Sequence, residues 1–158
     1  MLMDTFCQNG HFTGVNKPIV NAIESGNTKV MIISLDSNLE TDHPFDFACG
    51  EIGEEQLTSL NTILSNRMTA DFTKFVMFHH HPMMHNNPFM EMKDTGEFWE
   101  TVYARIDVML FGHKHESREW KNCGSIPYIL ASDNSPGKSH AREIVVDGRH
   151  LTVKNVII

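Results

Sequence analysis

Lys74-Phe75-Val76-Met77-Phe78-His79-His80-His81-Pro82 and Asp107-Val108-Met109-Leu110-Phe111-Gly112-His113-Lys114-His115 share one plan: a short apolar run that ends in histidines. Runs of this length suit buried strands, here Lys74–Phe78 and Asp107–Phe111. Lys29-Val30-Met31-Ile32-Ile33-Ser34-Leu35 is a third of the same kind. Helical patterns separate them. In Gly50–Met68, Leu57, Leu60, Ile63 and Leu64 fall on one face. Gly53 stands at the N-cap with Gln56 at the third helical position. Ile52 can staple against Leu57, and Glu54 and Glu55 suit the positive end of the helix dipole. Asp94–Ile106 is the second helix. Asp94 and Glu97 have capping-box spacing, and Phe98, Trp99, Val102, Tyr103 and Ile106 share a face. The order strand–helix–strand–helix–strand indicates an α/β domain with crossover connections.

Outward from this centre the signals weaken. Residues 1–28 read as loop, with a short helix near Pro18–Ser25, and Asp36–Cys49 reads as a polar loop around Pro44. Ile126–Ala131, Glu143–Val146 and Leu151–Ile157 read as further strands, joined by turns at Ser135-Pro136-Gly137 and Asp147-Gly148. They suggest antiparallel pairing at the C-terminus of a mixed sheet. No repeat or low-complexity linker divides the chain, so residues 1–158 are treated as a single unit.

Composition limits the function classes. The chain has 158 residues, 41% hydrophobic and 21% charged, enough to bury a core. A formal net charge of -7 without any basic run argues against nucleic acid or an anionic membrane as the main partner. No apolar stretch reaches the ~18–20 residues of a transmembrane helix, and no secretory signal pattern opens the sequence. Cys7, Cys49 and Cys123 are odd in number and widely spaced. They read as buried or half-buried thiols in a reducing, cytoplasmic setting.

Histidine is the unusual residue, with 10 copies, and its clustering carries the information. Four fall at positions 79–85, and two more at 113 and 115. Both groups follow strands, where open α/β sheets place their ligand sites. In extended backbone, residues i and i+2 point to one side. His113 and His115 should then converge, with Gly112 easing the turn. His79 and His81 should pair likewise, with His80 opposite them. Neutral imidazole is a good ligand for zinc, iron and manganese, so histidines from two strand ends point to a metal site. His11, His43, His85, His140 and His150 stand alone and read as ordinary structural or surface residues.

Four stretches together resemble the calcineurin-like metallophosphoesterases, most closely the branch that contains the cyclic-AMP phosphodiesterases. They are Ile33-Ser34-Leu35-Asp36-Ser37, Gly50-Glu51-Ile52-Gly53-Glu54-Glu55-Gln56-Leu57, Phe78 to Pro82, and Gly112-His113-Lys114-His115. The resemblance runs from residue 29 to about 157. It implies part of a four-layer α/β/β/α sandwich and a metal-dependent phosphoester hydrolase that is phosphodiesterase-like, with cyclic nucleotides among the substrate classes. It assigns His80 and His113 to the second metal and His115 to the first, and sets His81 in the pocket as a catalytic residue. Lys114 fills a variable position, and Asp36 reads as a structural turn residue. The implied cofactors are divalent manganese, iron or zinc ions, two in the complete family site.

The family's upstream Asp-x-His, Gly-Asp and Gly-Asn-His-Asp/Glu motifs have no counterpart here. The match is therefore to the C-terminal half of the domain, and the missing carboxylates matter. Two adjacent divalent ions repel, and three neutral imidazoles bring no charge to offset that. One ion, or none, is the expectation for this chain alone. A polypeptide supplying the N-terminal half is the implied partner. The alternative is a catalytically incomplete relic that binds a metal or a partner, or self-associates through an uncovered sheet face. His85–Met92 is a candidate substrate-contacting lid between the histidines and the second helix.

Overall fold

The computed structural model describes residues 17–38, 49–84, 90–133 and 140–157. Strands β1 (Ile19–Ser25) and β2 (Thr28–Ser34) precede helix α1 (Glu54–Ser65) and a 3-10 turn at Arg67–Thr69. Strand β3 (Thr73–Met77), helix α2 (Thr95–Val102) and strand β4 (Val108–Phe111) follow, then β5 (Arg118–Cys123), β6 (Ile126–Ala131), β7 (His140–Asp147) and β8 (His150–Ile157). The main sheet has six strands in the order β1-β2-β3-β4-β6-β5. Its centre, β2-β3-β4-β6, is parallel, and β1 and β5 pair antiparallel at the two edges. β7 and β8 form a separate antiparallel hairpin.

The central strands read as unbroken apolar runs because both their faces are covered. Ile33, Val76, Met109, Phe111 and Ile129 point to the helical side. There they pack with Ile52, Leu57, Leu60, Ile63, Phe98 and Val102. The alternate residues Phe75, Val108 and Leu130 point the other way, toward Ile144, Val146, Leu151 and Val153 of the hairpin. Each fully buried aliphatic or aromatic side chain contributes roughly 1.5–3 kcal/mol. The helical side, with Phe98, Ile33, Ile52, Leu60 and Val102 all sealed from solvent, is the principal core.

This is a mixed α/β architecture with helices on one face of the sheet and a two-stranded layer on the other. Two expectations are corrected. Pro18–Ser25 is not helical: Ile19–Ser25 is edge strand β1, whose seven registered pairs with β2 outweigh a weak local preference. Arg118–Cys123, which the sequence reading leaves unassigned, forms β5. That strand is mostly exposed and charged, so it lacks the apolar run that marks a strand in sequence. The antiparallel C-terminal strands divide between two sheets, because β6 joins β4 in parallel.

Helix α1 begins as expected after Gly53, but its cap differs. Gln56 does not turn back on the N-cap. Its side chain donates to the carbonyls of Ile52 and Asp36 and accepts the Asp36 amide. The Asp94 carboxylate instead accepts from Ile52 N (2.9 Å) and Gly53 N (2.8 Å). Asp94 thus sits at the N-cap position of α2 while satisfying the entry to α1, which ties the two helices together. Cys49 is buried and Cys123 half-buried. Among the described residues no helix is long and apolar enough to cross a membrane. Cys7, His11, His43, His85, most of the proposed lid and the Ser135-Pro136-Gly137 turn lie outside the described residues.

Candidate metal centre

β3 and β4 run parallel and adjacent, with Met77 opposite Leu110, so their carboxyl ends deliver the two histidine segments side by side. The pairing continues past the strands. Phe78 N donates to Leu110 O at 3.1 Å, and Gly112 N donates to His79 O at 3.0 Å.

Three rings meet there: His79, His80 and His113. One nitrogen from each lies within 4.8 Å of the others. His80 and His113 have ring centroids 4.6 Å apart, and His79 stands 5.0 and 5.2 Å from them. His79 Nε2 is 3.2 Å from His113 Nδ1. Three imidazoles so placed can bind a divalent metal ion. Among the described residues no carboxylate joins this group.

His80 is held from several sides. Its Nδ1 lies 2.8 Å from Ser37 Oγ. This hydrogen bond fixes the orientation of the ring, as outer-sphere partners do for metal-binding histidines. Ser37 Oγ also accepts the amides of His79 (3.3 Å) and His80 (3.2 Å), which draws the segment out of strand geometry. Gly50 supplies the space. A Cβ added there would sit 2.3 Å from His80 Cγ, so only glycine lets the ring lie on this backbone. Gly50 is itself fixed by Gly50 N to Glu91 O and Lys93 N to Gly50 O, at 3.1 and 2.8 Å. One residue beyond the histidines, Pro82 O accepts from Trp99 Nε1 of α2 at 3.0 Å.

The second segment is shaped by its own backbone. His113 has φ 74° and His115 φ 51°, both left-handed. Such conformations cost of order 1 kcal/mol or more in a non-glycine residue and cluster at functional sites.

Burial, and then the neighbouring rings of His113 and His79, push the His80 pKa down from 6.5 to about 4. His81 is likewise lowered to about 4, by burial first and Lys114 second. At neutral pH both rings are uncharged, the state in which imidazole ligates.

The i, i+2 expectation is corrected by this geometry. His79 and His80 converge, and His81 turns away, because the chain bends at His79 and His80. His113 and His115 do not converge either, since both residues are left-handed. Of the residues tied to metal by resemblance, His80 and His113 come together and His115 does not join them. His115 is exposed and lines an open cleft of about 1230 Å³ with His79, His113, Asp36 and Arg142. His81 is buried against Phe111 (centroids 4.7 Å apart) and Trp120 (6.0 Å), with Nδ1 accepting the Met83 amide at 3.1 Å. Asp36 is a turn residue as expected, its carboxylate accepting from Asn38 N and Nδ2.

Sequence reading missed His79 as a member of the trio, and Ser37 and Gly50 as its supports. For His79 the signals were its place in the histidine run and the i, i+2 parity, which paired it with His81 instead of His80. For Ser37 and Gly50 it was their place in the stretches that carry the family resemblance. A scan against protein-family models and a search of curated proteins both find no match to this chain.

Proposed function

We propose that this chain is the histidine-bearing part of a metal-dependent phosphoester hydrolase of the phosphodiesterase-like kind. One observation carries the reading. His80 and His113, the two residues that the resemblance sends to a single ion, leave neighbouring strands and face each other across 4.6 Å. His115, which the resemblance assigns to a different ion, stands apart from them, in keeping with a two-ion plan.

A divalent ion bound at such a site supplies Lewis-acid polarisation of a phosphoryl group and acidification of water. The chain's own residues do the rest. His80 presents a neutral nitrogen, with a ring nitrogen of His113 beside it. Ser37 and Gly50 fix the His80 ring. The cleft beside His79, His113 and His115 gives a phosphoester room to approach. His81, packed on Phe111 and Trp120, acts as a support for the turn at Pro82 in this reading rather than as a group touching substrate. The missing carboxylate ligands come from an N-terminal half carrying the Asp-x-His and Gly-Asn-His-Asp/Glu motifs. Manganese, iron and zinc are the candidate ions.

The test is hydrolysis of bis-p-nitrophenyl phosphate and 3',5'-cyclic AMP with manganese. We expect negligible turnover by the chain alone, turnover when it is joined to such an N-terminal half, and its loss in His80→Ala and His113→Ala. No turnover by the joined protein, or full activity in His113→Ala, would overturn the reading.

A further inference from the structure

We propose that His79 is the third donor of a one-cation site that this chain completes by itself, with His80 and His113, and that the site takes a borderline divalent ion of the zinc class. The inference rests on the metal-binding part of the reading above and not on hydrolysis. The resemblance gives His79 no role, so the case stands on geometry.

His79 Nε2 and His113 Nδ1 share a hydrogen bond at 3.2 Å, and a cation would take the place of its proton. Two imidazole nitrogens on one tetrahedral zinc, each ~2.0–2.1 Å from the ion, lie about 3.3 Å from one another. The pair already spans one edge of such a tetrahedron. Their rings are nearly perpendicular, at 87°, so the approach is not ring stacking. The His80 nitrogen is within 4.8 Å of both, and roughly an ångström of inward motion completes the triangle. His79 is exposed and has the freedom to make that motion, whereas His80 is buried and held by Ser37. His115 is exposed at the next bend of the chain and is not part of the group.

The donor set selects the ion. Three nitrogens and no carboxylate favour zinc, cobalt, nickel and copper over magnesium and calcium, which need oxygen ligands. Manganese binds such a set more weakly than zinc. Three protein ligands also leave an open position, the pattern of reactive rather than purely structural zinc.

The experiment uses the metal-free full chain near pH 7.5. It is titrated with cobalt, read by visible absorption, and then competed with zinc, with stoichiometry from equilibrium dialysis. We expect one equivalent bound and the intense absorption of low-coordinate cobalt. His79→Ala should weaken zinc by at least about tenfold, while His115→Ala changes it by less than about threefold. Both side chains are exposed, so the metal-free melting temperatures should match that of the parent chain. Unchanged affinity in His79→Ala, an equal loss in His115→Ala, two equivalents bound, or no uptake by the parent chain would each overturn the proposal. Hydrolysis is not read here. One zinc bound through His79, with no phosphoester cleaved by the protein joined to an N-terminal half, sinks the hydrolase reading alone.

Discussion

The two histidine segments reach the same place by different means. Residues 78–82 are positioned from outside: by the Ser37 hydroxyl, by the space that Gly50 leaves, and by Trp99 of α2 on the Pro82 carbonyl. Residues 111–115 are tied to their neighbours only through backbone, Gly112 N to His79 O and Ser132 N to Phe111 O, and are otherwise shaped from within by left-handed backbone at His113 and His115 and the hydrogen bond from Lys114 N to Gly112 O. The first arrangement depends on remote sequence and should break when distant residues change. The second should tolerate remote changes. One rigid ring, His80, and two more accessible ones, His79 and His113, make a centre whose buried half is built before a cation arrives.

The comparison can be broken most severely at Gly50. Gly50→Ala places a methyl group where His80 lies, and a backbone-held clash of that size forces the ring out. We expect a loss of about 2–4 kcal/mol in denaturant unfolding, typical of overpacking plus a disturbed buried polar group, and a loss of tight zinc binding. Near-parental stability and affinity would mean that His80 does not rest on this backbone.

Acid probes the buried side next. His80 and His81 have pKa values lowered from 6.5 to about 4 in the folded chain. Between those values the unfolded chain binds protons that the folded chain refuses, so stability falls as pH falls. Metal-free protein should be fully stable, as far as these two rings are concerned, above about pH 6.5. It should lose stability progressively toward pH 4 and change little from this cause below it. Urea midpoints from pH 7.5 to 4 measure the effect, and a flat profile would contradict it.

Ser37→Ala should be milder. It removes the partner of a buried imidazole nitrogen, costing about 1–3 kcal/mol of stability and about 10–100-fold in metal affinity. Trp99→Phe keeps the ring packing but deletes the bond to Pro82 O, for about 1 kcal/mol and little change in affinity. Remote substitutions of this kind should leave the 111–115 segment intact. Amide hydrogen exchange at Lys114, whose bond to Gly112 O lies within the segment, checks that, and its exposure in Ser37→Ala would erase the distinction between the segments.

The sequence revealed what repeats locally. The apolar runs of β2, β3, β4 and β6 announce a buried sheet because every residue in them has a face to hide, and α1 and α2 announce themselves by periodic Leu and aromatic positions. β1 and β5 were not legible, since an edge strand is defined by its neighbour's hydrogen bonds and not by its own composition. The metal centre was half legible. Histidines after two adjacent parallel strands must come out near one another, which located the site. Which rings converge depends on where each segment leaves extended geometry, and Ser37, 42 and 43 positions upstream, decides that for His79 and His80. Period-two reasoning therefore paired His79 with His81 and set His80 apart from them, just where tertiary contacts take over from the strand.

The most direct test is X-ray absorption at the zinc edge on the full chain loaded with one equivalent of zinc. The account predicts nitrogen or oxygen neighbours only, at ~2.0–2.1 Å, with outer-sphere scattering from three imidazole rings that falls to two in His79→Ala. A zinc ion with sulfur neighbours, or with fewer than three imidazoles in the parent chain, would contradict the claim that His79, His80 and His113 enclose one cation.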